Sequence, residues 1–415
     1  MEVDIPFGQS KAKVNVPEPC KILIPKKIEV KDEQKTIQDA LRNPIGTGSF
    51  QDFVNASKQL LVIVNDASKP TPTSKILEQI YPELSKHSYF KFLIATGTHK
   101  PPNEEECRYI FGKFYEEFKD KIFIHDSKDK DNMKYLGQNK NGNDLFINRM
   151  VTDTENVIVI GSVEPHYFAG YTGGRKAFFP GVSSYETVEA SHRFALSDKA
   201  CSLNVSDNPI HDDFNDSIRF LKDVNIFSIQ TVLTKDYKIY AAKCGDIIKS
   251  FDELIKYAND VYCVPIKHKG NIVISVVPYP MDINLYQSQH ALENGIFALE
   301  DDGIIILVSK CRMGIGNDAF LEILSKTDSS NEVIELLGGK YKLGSHKSVR
   351  ILNIKSKAQI FAVTDLEDKI IEMAKLKPYS NIQSAIDDAV KFIKARGRQP
   401  RTIVMPSGNL TVPLI

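Results

Sequence analysis

Short apolar runs alternate along this chain with polar loops and amphipathic stretches. Four runs have the length of a strand and are each followed by a polar loop and a helical pattern, at residues 60–64, 90–95, 157–163 and 272–277. Continuous apolar runs that alternate with helices are typical of parallel strands buried on both faces. The pattern therefore predicts an α/β fold with mostly parallel sheets flanked by helices.

Polar residues at helix starts and turns refine this picture. Asn103 precedes a helical pattern and Glu106 follows three residues later, which is the spacing of a capping box. Ser183 and Glu186 repeat that spacing. The polar stretch 126–144, with its Asn-Gly turn signal, predicts a surface hairpin.

The domain organisation follows from length and from one change in pattern. A chain of 415 residues is long enough for two or three domains. Helical periodicity fades over residues 261–269, which predicts an N-terminal α/β domain over 1–265 and a C-terminal α/β domain over 266–415. Ligands of parallel sheets bind beyond the carboxyl ends of the strands, so we expect the active site there, in a cleft between the domains.

Composition narrows the class of protein. The chain has 53 Lys and Arg residues and 53 Asp and Glu residues, and this zero net charge argues against a nucleic-acid partner. No apolar run is long enough to span a membrane, and the first residues are acidic where a secretory signal would be basic. We therefore expect a cytoplasmic protein that acts on a small molecule.

The first two predicted strand ends carry polar side chains. Asp66 and Lys69 follow the first run, and a carboxylate and an ammonium at this spacing either hold a polar ligand or form a surface ion pair in a turn. His99 follows the second run. An imidazole there either exchanges protons near neutral pH or bonds to the backbone at a helix start.

The third loop, residues 164–176, holds the densest chemistry. Gly173 and Gly174 allow backbone N–H groups to approach an anion closely, and Arg175 and Lys176 add positive charge. This combination suits a phosphate, although a plain turn is the alternative. The spacing of a Walker motif is absent.

Further histidines flank this loop. His166 lies within it and His192 lies on the following helix; together with His99 they could bind zinc or nickel, although no metalloprotease spacing is present. After the fourth run, Gln287 and His290 share one helical face near a helix start. That position favours a substrate carboxylate, or it is a polar face in water.

Four segments in sequence order resemble the nickel-dependent lactate racemase family of 2-hydroxyacid racemases and epimerases. They are ATGTHKP at 95–101, EPHYFAGYTGGRKAFFPGVSSYETVEASH at 164–192, NPIHDD at 208–213 and DINLYQSQ at 282–289. The resemblance implies an isomerase that inverts C2 of a 2-hydroxy acid by transient hydride transfer, with lactate as the default substrate.

The resemblance also implies a cofactor, the nickel pincer nucleotide, which is a Ni(II)-pyridinium-3,5-bisthiocarboxylic acid mononucleotide. Lys176 would carry it covalently and His192 would ligate its nickel. Gly173, Gly174 and Arg175 would hold its phosphate. Cofactor-biosynthesis proteins would be partners of the chain.

The remaining roles concern proton transfer and the substrate. By resemblance, His99 and His166 are the acid/base pair. Asp66 and Lys69 lie near the cofactor and substrate, and Lys69 is joined by Gln287 and His290 as a substrate contact.

Two positions depart from the family pattern. Better-known lactate racemases carry arginine at position 69 and lysine at position 290, where this chain has Lys69 and His290. Lysine offers a point charge instead of a bidentate grip, and histidine is shorter. A different 2-hydroxy acid, such as malate or a larger one, is therefore an alternative substrate. A zinc hydrolase and a non-catalytic carrier of the nucleotide are further alternatives.

Overall fold

The structure is a computed structural model that describes residues 1–87, 89–338 and 340–415. Contacts divide the chain into two compact units. The larger unit comprises Lys27–Val261, and the smaller unit comprises Met1–Lys26 together with Tyr262–Ile415.

The strands within the described ranges follow one another as β1 (Glu2–Phe7), β2 (Ser10–Asn15), β3 (Cys20–Ile22), β4 (Leu60–Asn65), β5 (Phe90–Ala95), β6 (Ile122–Ile124), β7 (Met133–Gln138), β8 (Asp144–Asn148), β9 (Asn156–Ser162), β10 (Pro165–His166), β11 (Gly170–Tyr171), β12 (Asn225–Leu233), β13 (Ile239–Gly245), β14 (Cys263–Pro265), β15 (Gly270–Val276), β16 (Leu299–Val308), β17 (Gln359–Val363), β18 (Lys377–Tyr379), β19 (Thr402–Met405) and β20 (Val412–Leu414).

The α-helices of the same ranges are α1 (Glu33–Arg42), α2 (Phe50–Asn55), α3 (Thr73–Leu84), α4 (Glu104–Phe111), α5 (Tyr115–Phe118), α6 (Arg149–Thr152), α7 (Tyr185–His192), α8 (Pro209–Ser217), α9 (Ile247–Tyr262), α10 (Leu285–Gly295), α11 (Asp318–Lys326), α12 (Ser330–Leu336), α13 (Ser345–Lys355), α14 (Asp368–Met373) and α15 (Ile382–Ala395).

The sheet of the larger unit confirms three of the predicted strands. Its order is β13-β12-β9-β4-β5-β6, and all neighbours are parallel except β13, which runs antiparallel to β12. Both faces are covered: Val62 and Val64 of β4 pack into one apolar cluster, whereas Leu61 and Ile63 pack into another. This two-sided burial explains why the strand is continuously apolar in sequence.

Two helix starts test the capping signals. The predicted capping box of Asn103 and Glu106 is present at the start of α4. At α7 the prediction was wrong by one residue, because Ser184 is the N-cap and accepts a hydrogen bond from Thr187 N. The Ser183 hydroxyl donates instead to the Phe178 carbonyl at 2.7 Å.

The polar stretch forms the predicted antiparallel hairpin of β7 and β8. Part of its turn is buried, which differs from the expectation that the whole hairpin lies on the surface. The side-chain amides of Asn139, Asn141 and Asn143 all donate to one carboxylate oxygen of Asp213 in α8, at 2.8–3.0 Å. The hairpin is thereby attached to α8 by hydrogen bonds.

The smaller unit contains a parallel sheet in the order β18-β17-β16-β15-β19-β3. The predicted strand at 272–277 is β15. The edge strand β3 comes from the N-terminal segment, and Met1–Lys26 therefore groups with this unit instead of with an N-terminal domain over 1–265. Pairing between strands far apart in sequence leaves no local pattern that could predict it.

Across the described ranges, no helix combines the length and the apolar character that a bilayer crossing requires.

Candidate active site

The loops that follow β4, β5 and β9 lie at the same edge of the larger unit's sheet, the one formed by the carboxyl ends of its parallel strands. This follows because the three strands are parallel neighbours. The first loop carries Asp66, the second carries His99, and the third carries His166 in the short hairpin of β10 and β11. Side chains that are far apart in sequence are thus placed at a common edge, where ligands of such sheets bind.

Asp66 and His99 form the closest polar contact between these loops. His99 Nδ1 lies 2.7 Å from Asp66 Oδ2, and the carboxylate is largely buried whereas the ring is exposed. Burial alone would raise the pKa of Asp66, but the hydrogen bond and charge of His99, the Ser68 hydroxyl and the Lys69 ammonium together lower it.

This carboxylate determines which ring nitrogen of His99 carries the proton. The ionised Asp66 side chain only accepts hydrogen bonds, so Nδ1 of His99 donates to it. The other carboxylate oxygen is held by the Ser68 hydroxyl at 2.5 Å and by the Ser68 backbone N–H. In the neutral ring the lone pair is therefore on Nε2, and His99 is oriented to act as a base through that atom.

His166 has the opposite arrangement. Its Nδ1 accepts hydrogen bonds from the backbone N–H groups of Ala169 at 3.3 Å and of Phe168 at 3.5 Å. The neutral ring therefore carries its proton on Nε2. The ring also stacks on Tyr167, with centroids 5.1 Å apart, and contacts the Phe168 ring at 4.4 Å. Packing and backbone contacts thus hold His166 with Nε2–H as its donor.

Lys69 is joined to the third loop by an ion pair. Its Nζ lies 3.3 Å from Glu164 Oε1, and the side chains of Lys69 and Glu164 are 34% and 15% exposed. Glu164 is itself fixed, because its backbone N–H and C=O bond to Thr172 across the hairpin. The pairing of Lys69 with Glu164 was not anticipated from the sequence, in which the two residues are 95 positions apart.

Lys176 projects among aromatic rings. Its Nζ lies 5.4 Å from the ring centroid of Phe168 and 5.7 Å from that of Phe214. Burial, and then the positive charge of Lys69, lower the pKa of Lys176 to about 7, against a smaller opposing effect of Glu164. Within the described ranges no side chain or carbonyl accepts a hydrogen bond from this Nζ. The amine is thus held in an apolar setting that favours its neutral form.

His192, at the end of α7, lies against the same aromatic ring. Its ring centroid is 5.2 Å from that of Phe168. Burial, and then the charge of Lys176, lower the pKa of His192 to about 3. The neutral imidazole keeps a lone pair that can bind a transition metal. Lys176 and His192 therefore lie beside a common ring.

The glycine pair is packed within the protein. Gly173 has φ +85° and ψ −174°, a region that only glycine occupies readily, and a Cβ there would lie 2.8 Å from the Ser162 carbonyl. The Gly174 N–H already donates to the side-chain oxygen of Gln230 at 2.9 Å. Gln230 lies on β12, which pairs with β9, and the sequence analysis did not identify it as a candidate site residue.

Arg175 turns away from the surface. One terminal nitrogen lies 2.8 Å from His211 Nε2, and the guanidinium covers the Phe251 ring at 4.7 Å. Burial lowers the pKa of Arg175 to about 10, and burial together with the Arg175 and Lys176 charges lowers that of His211 to about 3. His211 lies in the first turn of α8, and the sequence analysis did not link it to Arg175.

His99, His166 and His192 do not assemble into a shared metal site. In the part of the chain that the structure describes, no three His, Cys, Asp or Glu side chains are grouped so that they could hold a metal ion. The three-histidine zinc site that the sequence left open is therefore not formed.

Gln287 and His290 lie in the smaller unit. They occupy the first two turns of α10, where Asn284 caps the helix by accepting a hydrogen bond from Gln287 N at 2.8 Å. Gln287 is exposed and His290 is half-buried. The predicted helical placement of both side chains is confirmed.

Two family models match the chain: the lactate racemase N-terminal domain over residues 7–203 and the lactate racemase C-terminal domain over residues 266–412. The chain belongs to the lactate racemase family. The predicted family is thus confirmed, and as a member of a family of racemases the protein is an isomerase.

Relatives and solved structures agree with this membership. A lactate racemase of Thermoanaerobacterium thermosaccharolyticum is 29% identical over 99% of this chain and 96% of the relative. A lactate racemase of Lactiplantibacillus plantarum is 28% identical over 91% of this chain and 90% of the relative. The structure of the Thermoanaerobacterium thermosaccharolyticum lactate racemase apoprotein superposes with a TM-score of 0.90 at 26% identity, with full coverage of both chains.

Proposed function

We propose that this racemase inverts C2 of a 2-hydroxy acid by transient hydride transfer, with lactate as the first candidate substrate. The observation that carries the proposal is the complementary state of two imidazoles at one sheet edge. His99 has its lone pair on Nε2, because Asp66 holds Nδ1–H, whereas His166 has its proton on Nε2, because backbone N–H groups occupy Nδ1.

The chemistry demands such a pair. The α C–H of a hydroxy acid beside a carboxylate is a very weak acid, so removal of hydride together with the hydroxyl proton is the easier route to a planar 2-oxo acid. A base must accept the hydroxyl proton as hydride leaves, and an acid must return a proton when hydride is delivered to the opposite face. His99 would accept the first proton at Nε2 and become an imidazolium. His166 would first take a proton from solvent at Nδ1, which releases that atom from the backbone N–H groups, and would then give the second proton from Nε2 and be left as a neutral ring.

Asp66 would act on His99 after proton transfer. The protonated ring carries a positive charge, and the ionised carboxylate 2.7 Å away stabilises it and keeps the ring in position. For the other enantiomer the two histidines would exchange roles. Between turnovers each ring would exchange its proton with solvent, to which His99 is exposed.

Hydride storage needs a cofactor, and the nickel pincer nucleotide fits the residues present. Lys176 offers an amine among aromatic rings, and His192 offers a neutral imidazole beside one of those rings. Lys176 would hold the group covalently and His192 would ligate its nickel. When bound, the group supplies an electrophilic centre that accepts hydride from C2 and returns it.

The phosphate of such a nucleotide is assigned to Gly173, Gly174 and Arg175 as a proposal. Two nitrogens of Arg175, Nε and Nη1, are buried and have no hydrogen-bond partner within the described ranges. A phosphate oxygen would give these buried donors the hydrogen-bond partner that they lack. Gln230 and His211 already occupy other donors of the same turn, so a phosphate would have to share or displace these contacts.

The substrate carboxylate would be oriented by Lys69, which Glu164 holds. Gln287 and His290 are further proposed substrate contacts. Better-known lactate racemases carry arginine and lysine at positions 69 and 290, which the resemblance places on the substrate side. We therefore keep malate or a larger 2-hydroxy acid as the second candidate substrate.

A chiral assay tests the proposal directly. The protein is produced together with the cofactor-biosynthesis proteins and incubated with single enantiomers of lactate, malate and larger 2-hydroxy acids. We expect inversion of at least one of them, and a rate about 10²–10⁴-fold lower in His99→Ala and in His166→Ala. His268→Ala, at an exposed position of the smaller unit, is the matched control. Nickel-loaded protein that inverts none of these acids, or full activity in either variant, would contradict the proposal.

A further inference from the structure

One buried histidine contacts two of the segments that carry the proposed active-site residues. His125 directly follows β6 and is only 1% exposed. Its backbone carbonyl accepts a hydrogen bond from the Thr96 hydroxyl at 2.6 Å, and its Nε2 lies 2.9 Å from the carbonyl oxygen of Ser183. Thr96 is the first residue of the His99 loop (residues 96–99), and Ser183 is the last residue of the Lys176 segment (residues 176–183). The sequence analysis did not single out His125.

The hydrogen bonds of the His125 ring determine which nitrogen carries the proton. Nε2 faces the Ser183 carbonyl, which only accepts, so Nε2–H is the donor. Nδ1 accepts from the side-chain amide of Asn148 at 3.3 Å, and the oxygen of that amide accepts from the Met150 backbone N–H. Burial lowers the pKa of His125, so the ring is neutral at neutral pH and both of its nitrogens are engaged.

The His99 loop and the Lys176 segment also contact each other directly. The Gly97 N–H donates to the Gly181 carbonyl at 2.9 Å, and the Gly181 N–H donates to the Lys176 carbonyl at 3.0 Å. A Cβ at Gly181 would overlap the Ala177 carbonyl, so this close approach of backbones requires glycine. Two hydrogen bonds thus lead from the loop of the proposed base to the backbone of Lys176.

Further bonds hold the end of the Lys176 segment. The Ser183 hydroxyl donates to the Phe178 carbonyl, and the backbone N–H of Asn148 donates to the Val182 carbonyl at 2.8 Å. Ser183 and Asn148 are both buried, so water does not compete for these bonds. His125 and Asn148 therefore fix this end of the segment together.

We infer that His125 is a positioning residue that fixes the His99 loop against the Lys176 segment and so sets the place of the proposed base relative to the lysine that would carry the cofactor. The inference rests on the proposed function, which assigns those two roles. Loss of a proton from the hydroxyl and of hydride from C2 requires that the base and the cofactor be held in one arrangement. His125 acts on that arrangement through the two backbones that it joins.

His125→Phe tests the inference, because it keeps an aromatic ring and removes both ring hydrogen bonds. In the cofactor-loaded protein we expect kcat, for the acid that the wild type inverts best, to fall about 10- to 100-fold, since a misplacement of about 1 Å has an effect of that order. KM should stay within about threefold of the wild-type value. His125→Gln, whose amide can again donate to Ser183, should recover most of kcat. The adduct expected on Lys176 should remain in both variants, so that a lower kcat does not reflect loss of the cofactor.

His87→Phe is the matched control. His87 has the same pattern of bonds in the same unit: its Nδ1 accepts from the Tyr89 backbone N–H at 3.3 Å, and its Nε2 lies 2.6 Å from the Ser57 carbonyl oxygen. It precedes β5, whereas the proposed site lies beyond the carboxyl ends of the strands. His87→Phe should lower the melting temperature and leave kcat unchanged. A purely structural role of His125 would give this same result for His125→Phe.

Amide hydrogen exchange measures the contact between the two segments independently of activity. We expect the Gly97 N–H, which donates to Gly181, to exchange at least about tenfold faster in His125→Phe than in the wild type, because a loop that loses contacts opens more often. In His87→Phe its exchange should be unchanged. If His125→Phe does not fold, Thr96→Val takes its place in both measurements with the same expected directions, since it removes only the hydroxyl that bonds to the His125 carbonyl.

A wild-type kcat in His125→Phe, an equal loss of kcat in His87→Phe, or unchanged exchange of the Gly97 N–H would each overturn the inference. The outcome is separable from the proposed function. A wild-type protein that inverts none of the acids refutes racemisation, and the exchange of Gly97 still decides whether His125 fixes the His99 loop against the Lys176 segment.

Discussion

Nδ1 of His99 lies 2.7 Å from Oδ2 of Asp66, and this contact joins the loops that follow two adjacent parallel strands. It links a buried carboxylate to an exposed imidazole, 33 positions apart in sequence. Under the proposed function, Asp66 would orient the base His99, in addition to its expected place near the cofactor and substrate.

Asp66→Asn tests this orienting role. The amide keeps the shape of the side chain but loses the negative charge that balances protonated His99. We expect kcat to fall at least about tenfold with little change in KM, because the loss affects the proton-transfer step. The measurement is the rate of enantiomer inversion, and Asp126→Asn, an exposed aspartate at the end of β6, is the control. Equal rates for Asp66→Asn and wild type would remove Asp66 from the mechanism.

The same contact predicts a pH dependence of stability. The pKa of Asp66 is lower in the folded protein than in the unfolded chain, so the folded state binds fewer protons in this range. The stabilisation is complete above the unfolded value of about 3.9 and is lost as pH falls through the lower folded value. Urea unfolding from pH 7 to pH 3 should show the stability difference between wild type and Asp66→Asn shrinking below about pH 4. A difference that is constant with pH would show that the carboxylate is not selectively stabilised.

Lys176 should carry a covalent adduct. In protein made together with the cofactor-biosynthesis proteins, intact-mass spectrometry should show added mass that is absent from Lys176→Ala. In His192→Ala the adduct should remain while the nickel content falls, because the two residues are expected to hold different parts of one group. Lys199→Ala, an exposed lysine, controls for nonspecific modification. Identical, adduct-free masses in wild type and Lys176→Ala would count against the cofactor assignment.

Substitution by alanine at Gly173 and at Gly142 distinguishes the stability cost of steric crowding from that of backbone conformation. Both have positive φ, +85° and +72°, but a Cβ at Gly173 would meet the Ser162 carbonyl at 2.8 Å, whereas at Gly142 it would meet nothing within 4 Å. We expect Gly142→Ala to cost about 1–2 kcal/mol and Gly173→Ala to cost about 1–3 kcal/mol more. Urea unfolding at neutral pH measures both. Similar losses at the two positions would show that the turn before Lys176 is not tightly packed.

Much of the fold could be predicted from local pattern. The strands β4, β5, β9 and β15 correspond to the four apolar runs, and the capping box before α4 was recognised from two residues. Such features are encoded within a few residues, because burial on both faces and satisfaction of helix-end N–H groups are local requirements.

The contacts of the site could not be predicted in the same way. Lys69 pairs with Glu164, the Gly174 N–H bonds to Gln230, and each partner lies on a different element. Nothing in the spacing of residues reports which loop a side chain will meet after the strands have assembled. The same limit explains why residues 1–26 were predicted to belong to the N-terminal domain, whereas the structure groups Met1–Lys26 with the smaller unit.

The sequence by itself determined the alternation of strand and helix, the loops that carry the reactive side chains, and, through its motifs, the family. Tertiary structure alone decided which atoms the ring nitrogens of His99 and His166 contact, and the apolar setting of Lys176. The physical reason is that periodicity and capping act over a few neighbouring residues. Charge balance, burial and hydrogen bonding between loops depend on which distant segments the folded sheets bring together.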